Sequence, residues 1–187
     1  MSAQSSSPRH LVTVSGLPGS GTSTACGLLV GKTGGWRYIN VGEIFRDMAQ
    51  EQGITLSAYG AQAEQDGDID RQLDARVMEM AQQFPGGAIL EGRLTGWMAL
   101  RHNLTALKVW VQAPVSARAR RVGKRDGQLL QQAAAVMTQR ESSEAKRYED
   151  HHGIDIGDLS IYDLVIDSVD HSAEQIAKLI IDTLDLP

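Results

Sequence analysis

The sequence predicts an α/β fold in three layers, a five-stranded parallel sheet with helices on both faces. Three observations carry that prediction. Short apolar, β-branched runs alternate with longer segments of helical spacing along the chain, which is the pattern of parallel strands joined by crossover helices. The first run stops at a Gly/Pro/Ser cluster, as a buried strand does where it enters a loop. The chain has 187 residues, 42% of them apolar and 22% charged, which suits one compact globular domain and is tight for two.

Taken in order, His10–Ser15 (HLVTVS) is the first strand, and Thr22–Lys32 has helical spacing. Arg37–Asn40 (RYIN) is a second strand, followed by helices over Val41–Gln52, Ser57–Glu64 and Ile69–Gln83. Ala88–Glu91 (AILE) and Leu107–Ala113 (LKVWVQA) are the next two strands, buried on both faces as central parallel strands are. Val115–Arg125 and Leu129–Tyr148 read as helices, Tyr162–Ser168 (YDLVIDS) as the fifth strand and Ala173–Leu184 as the last helix. Parallel sheets of this kind bind ligands at the carboxyl ends of their strands. Gly123–Asp158 is the most charged and least apolar stretch, too long and too helical for a linker, so it is expected to be a mobile helical lid of about residues 123–158. The Ser-rich residues 1–9 are expected to be a flexible tail, and 10–187 a single domain with acceptor-binding helices at about 41–83.

Composition excludes several classes. A net charge of −5 argues against a surface that holds nucleic acid by neutralising phosphates. No apolar run approaches the roughly 20 residues of a membrane helix, and Met1–Ser7 lacks the charged and apolar regions of a signal peptide. The one cysteine, Cys26, cannot form an internal disulfide and fits an inert core position in a reducing cytoplasm.

Directly after the first strand comes Gly16-Leu17-Pro18-Gly19-Ser20-Gly21-Thr22-Ser23-Thr24. This is a phosphate-binding loop in its strand-loop-helix context, except that Thr22 stands where the pattern has lysine. Glycines let backbone N–H groups turn toward phosphate oxygens, and the following helix directs its positive N-terminus at the same anion. Ser23 is placed to ligate Mg²⁺. Threonine supplies a hydrogen bond without lysine's charge, so either arginines elsewhere compensate or turnover is poor.

Arginines are plentiful where a phosphoryl-transfer site would need them. Arg118, Arg120, Arg121 and Arg125 follow the fourth strand, Arg121 and Arg125 being four apart on one face. Arg140 and Arg147, seven apart, share a face of the next helix. The planar guanidinium fork binds phosphate oxygens in pairs, and phosphoryl transfer asks mainly for positive charge and positioning. The alternative for each is a solvated face exchanging ion pairs with Glu141, Glu144, Glu149 and Asp150. Glu91, at the end of the third strand, is the carboxylate a Mg²⁺-bound water would use, or else a cap for the next helix. Arg93 follows it into the same crevice, and Arg46, after the second strand, is a candidate for an acceptor phosphate or an exposed helix residue.

Four blocks in order make the chain resemble the nucleoside monophosphate kinases, and within them the short archaeal-type cytidylate kinases. They are Val41–Ala49 (VGEIFRDMA), Leu90–Met98 (LEGRLTGWM), Arg140–Tyr148 (RESSEAKRY) and Gly153–Asp167 (GIDIGDLSIYDLVID), within a similarity from about His10 to Leu184. The resemblance implies a P-loop kinase fold, ATP as donor, Mg²⁺ as helper and CMP or dCMP as acceptor. It implies that Arg46, Arg93 and Gly96 bind the acceptor and that Arg121 and the phosphate loop bind the ATP phosphates. It makes Arg125, Arg140, Arg147 and Glu91 catalytic, with Mg²⁺ on Ser23 and, through water, on Glu91. It further implies direct in-line transfer by a cytoplasmic, monomeric enzyme acting on small molecules, with no nucleic acid or membrane partner. Asp158 and the Asp66–Asp70 cluster are candidates for reading the base, and His151 and His152 are expected to face solvent. The segment between Asn40 and Ala88 is too short for the insert of the bacterial enzymes, so the acceptor side is built from the Ser57–Gln83 helices. The substitution at Thr22 keeps two alternatives open, a nucleotide-binding protein without turnover and a kinase for another small acceptor.

Overall fold

The computed structural model describes residues 10–84 and 86–184; the expected tail, residues 1–9, lies outside them. Five strands, β1 (Leu11–Ser15), β2 (Arg37–Asn40), β3 (Ala88–Glu91), β4 (Leu107–Gln112) and β5 (Leu164–Asp167), form one sheet in the order β2-β3-β1-β4-β5, all neighbours parallel. The helices are α1 (Thr22–Lys32), α2 (Val41–Glu51), α3 (Leu56–Gln65), α4 (Gly67–Gln82), α5 (Thr95–Arg101), α6 (Val115–Asp126), α7 (Leu130–His152) and α8 (Ala173–Leu184).

Strand positions agree with the sequence reading to within two residues; Tyr162 and Ala113 fall just outside β5 and β4. Helix α5 is an addition to the elements the sequence pattern predicts. It is a seven-residue helix, too short to display a period, and it carries Gly96 inside it. Helix α7 runs on to His152, where Gly153 adopts the left-handed conformation that closes a helix.

Every residue of β1 is buried, so the strand carrying the phosphate loop sits at the sheet's centre. Alternation along the strands sends side chains into two cores. On one face Ile39 and Leu90 pack with Ile44, Met48, Tyr59, Leu73, Val77 and Met98. On the other Val12, Val14, Ile89, Val109 and Val111 pack with Leu29, Ile176 and Ile180. Cys26 belongs to this second core, fully buried, and burial pushes its thiol well above the usual range.

A third, small cluster of Ala119, Val122 and Met137 holds α6 against α7. Arg118 completes that contact. Its guanidinium pairs with Glu141 on both nitrogens, while Nε donates to the Ala113 carbonyl at 3.0 Å and Nη1 to the Pro18 carbonyl at 3.2 Å. Arg118 is 4% exposed and cements α6, α7 and the phosphate loop rather than facing an anion, and Arg120 is exposed.

Candidate active site

Register brings the chemistry together. Val14 on β1 and Asn40 on β2 both pair with Glu91 on β3, so the carboxyl ends of three strands meet beside the loop. A cavity of about 310 Å³ opens there. Gly16, Leu17, Pro18, Gly19, Thr22 and Ser23 form its loop wall, and Glu91 its floor. Five arginines from four elements line it: Arg46 of α2, Arg93 of the β3–α5 loop, Arg125 of α6, and Arg140 and Arg147 of α7.

The loop takes its shape from its glycines. Gly19 and Gly21 have φ of 81° and 100°, left-handed values that an L side chain adopts at a cost. A Cβ at Gly19 would also stand 2.7 Å from the Arg118 carbonyl oxygen. Ser20 turns inward, fully buried, with its N–H donating to the Leu17 carbonyl at 3.0 Å.

Glu91 is 6% exposed and held by four donors. Thr22 Oγ1 and Ser23 Oγ donate to Oε1 at 2.7 and 2.6 Å. Asn40 Nδ2 donates to Oε2 at 2.9 Å, and the Tyr38 hydroxyl donates to the same oxygen. Burial, then the hydrogen bond to Glu91, pushes the Tyr38 hydroxyl far up. No arginine or lysine pairs with Glu91 among the described residues. A buried carboxylate held by neutral donors, with no cationic side chain against it, suits a divalent cation. Thr22 therefore reaches the carboxylate itself. Tyr38 and Asn40 are site residues beyond those the sequence motifs single out; two polar residues two apart at a strand's end, on the face that Glu91 shares, are their signal in the sequence.

The cavity's arginines are held by acids. Arg93 Nε lies 2.8 Å from Glu144 Oε2, and Arg140 Nε donates to Glu144 Oε1 at 2.9 Å. Arg147, 9% exposed, lies 3.4 Å from Asp70 Oδ2 and over the rings of Phe45 and Tyr148. Arg125 pairs with its neighbour Asp126, and Arg46 stands 4.0 Å from Glu43.

Several expected positions lie elsewhere. Arg121 does not line the cavity: its guanidinium donates to the Gly19 and Ser20 carbonyls and to Ser168, bracing the loop from outside. It lines instead a second depression of about 260 Å³ with Gly21, Thr24, Ser168 and His171. Gly96 is buried beneath Tyr162, where a Cβ would lie 2.4 Å from the ring, and its N–H donates to Ser15 Oγ at 3.1 Å. It packs against Tyr162 and does not line the cavity. Asp158 caps Ser160 and Asp66 caps α4, while Asp68 pairs with Arg71; of that acidic cluster only Asp70 reaches the cavity. His152 is not solvent-facing: its side chain is 9% exposed and lies 3.1 Å from Asp70. His151 contacts the Glu64 carbonyl at 2.9 Å.

Residues 11–170 match the sequence model of the cytidylate kinase-like family. A cytidylate kinase of Pyrococcus abyssi is 42% identical over 94% of this chain and 93% of its own. One from Methanocaldococcus jannaschii is 40% identical over 94% of this chain and 97% of its own. Among solved structures, an uncharacterised protein of Eubacterium ventriosum superposes with a TM-score of 0.72 at 15% identity, covering 96% of this chain and all of its own. A shikimate kinase from Bacteroides thetaiotaomicron gives 0.61 at 13% identity, covering 95% of this chain and 99% of its own. At that identity these two share the fold alone.

Proposed function

The chain belongs to the cytidylate kinase-like family, and we propose that it transfers the γ-phosphoryl group of ATP to CMP or dCMP, giving ADP and CDP or dCDP. It is an ATP-dependent nucleoside monophosphate kinase. The observation that carries the reading is the meeting of a phosphate loop and five arginines in one cavity. Such a concentration of fork-shaped cations suits two phosphate chains brought end to end.

The loop amides and the N-terminus of α1 would hold the donor's phosphates. Arg46 and Arg93 would hold the acceptor phosphate, and Arg125, Arg140 and Arg147 would converge on the group in transit, where charge spreads over its oxygens. The depression between Arg121 and His171 adjoins the loop and would take the donor's base. Ser23 and, through water, Glu91 would hold Mg²⁺, which when bound offsets the charge of the phosphates. Glu91 accepts from the Thr22 and Ser23 hydroxyls, which ties the end of the loop to the cavity floor. No covalent intermediate is needed. Residues 123–158, closing as a lid, would exclude water that otherwise competes as acceptor. Among the described residues no helix is long and apolar enough to cross a membrane. We further propose a cytoplasmic monomer.

The test is ADP release from ATP and Mg²⁺ with CMP, dCMP, UMP or AMP, beside an acceptor-free control. Turnover confined to the cytidine nucleotides is expected. Silence with all four, alongside measurable ATP binding, would overturn the reading in favour of a nucleotide-binding protein without turnover.

A further inference from the structure

We propose that Asp74 reads the acceptor's base, accepting a hydrogen bond from the exocyclic amino group of an aminopyrimidine and rejecting the keto analogue. The inference rests on the kinase reading and names the specificity group of that same cavity. The cavity is polarised. The phosphate loop forms one wall, whereas α4 contributes two carboxylates to the lining, Asp70 and Asp74, one helical turn apart on the same face; Asp70 faces Arg147, and Asp74 has no cationic partner among the described residues. A nucleoside monophosphate has a matching polarity, anionic at the phosphate and neutral at the base, so its base belongs at the α4 end.

The two carboxylates differ in what they have left to offer. Asp70 is committed to Arg147 and His152. Asp74 lines the cavity and makes no hydrogen bond among the described residues. Leu56, Leu73 and Met98 line the same cavity. Burial raises the Asp74 carboxyl, with Asp70 adding to the rise and His152, His102 and Arg101 opposing it. A partly desolvated acceptor-only group needs a donor. Cytosine supplies one in its N4 amino group, a contact that carboxylates make elsewhere. Uracil presents the O4 carbonyl at that position, and two acceptors facing each other repel.

The test compares CMP and UMP with the parent and with Asp74→Asn, by kcat/KM and by calorimetric binding of each monophosphate. Asparagine can turn either its carbonyl or its amino group to the base, so the CMP:UMP ratio is expected to fall by about tenfold in both measurements. Asp74→Leu, lacking both, is expected to weaken CMP without a gain for UMP. A thermal melt of each variant separates this from misfolding, since unfolding lowers both activities and leaves their ratio alone. A ratio within twofold of the parent's for Asp74→Asn overturns the inference while leaving the kinase reading intact. A parent that turns over none of the monophosphates overturns the kinase reading, and the binding ratio still decides on Asp74.

Discussion

Removing a single hydroxyl, in Tyr38→Phe, tests whether the Glu91 network is part of the working site. Tyr38 does not line the cavity, so the substitution leaves the phosphate-contacting surface as it was. It removes one of four donors to a buried carboxylate, leaving Thr22 at 2.7 Å, Ser23 at 2.6 Å and Asn40 at 2.9 Å. A hydrogen bond to a charged group contributes about 1.5–3 kcal/mol, and three remaining donors put the loss at the low end, about 1.5 kcal/mol. For a chain of this length that lowers Tm by about 3–6 °C. If the same free energy appears at the transition state, kcat falls about tenfold. The KM for CMP should hold, because Arg46 and Arg93, the proposed acceptor-phosphate ligands, are untouched, while the Mg²⁺ concentration for half-maximal rate should rise. Scanning calorimetry and the ADP-release assay at varied Mg²⁺ measure both. A Tm and a Mg²⁺ dependence matching the parent's would refute the argument, since Glu91 would then not depend on its buried donors.

The other perturbations have equally direct readouts. Thr22→Lys places an ammonium beside Glu91 in place of a hydroxyl bond; because five arginines already line the cavity, kcat should rise by less than about tenfold, and a rise from near zero would mark a loop crippled by its threonine. Arg147→Ala should lower kcat by about 100-fold or more in the same assay, and a rate within twofold of the parent would remove Arg147 from the transition state. Gly96→Ala drives a methyl to 2.4 Å from the Tyr162 ring and should destabilise by about 2 kcal/mol in urea unfolding. All four tyrosines are raised by burial, Tyr162 to about 12. Above about pH 10 the unfolded chain sheds protons that the folded chain keeps, so stability is intact below that pH and falls as pH rises, by about 1.4 kcal/mol per pH unit for each tyrosine. Tyrosinate absorbance should therefore stay flat to about pH 10 and then rise together with unfolding.

The sheet was legible because a strand covered on both faces must be apolar throughout, and Ala88–Leu90 and Val109–Val111 are. The loop was legible because a tight anion-facing turn admits few residues besides glycine. What individual arginines do was not. Arg118 and Arg125 are seven apart, so spacing puts them on one face, yet the first is buried against Glu141 and the second is exposed. The difference is made by α7, whose approach is written in neither residue. His152 went the same way: only the extra turn of α7 beyond Tyr148 carries it onto Asp70. Gly96 stands within a site-like motif but acts through its lack of a side chain, which a motif alone cannot distinguish from ligand contact.

The missing lysine and the acid-held arginines belong to one electrostatic arrangement. A lysine in the loop is a charge fixed to the sheet, in place before any ligand arrives. Here the cavity's positive charge sits on α2, the β3–α5 loop, α6 and α7, and much of it is engaged: Arg93 and Arg140 share Glu144, and Arg147 rests on Asp70. If these arginines bind phosphate as proposed, incoming phosphates would compete with those carboxylates for the same guanidinium groups. Competition costs binding free energy, but it keeps buried and half-buried arginines paired before substrate arrives, as desolvated charge requires. It also ties charge delivery to the position of α7, because Arg140, Glu144 and Arg147 lie on that one helix, fastened to α6 by Arg118 and Glu141. Catalytic charge would then be complete only when α7 is seated over both nucleotides, which is when an attacking water is excluded. A loop that relied on such arginines for its charge would give up some affinity for ATP alone and would gain protection against hydrolysing it.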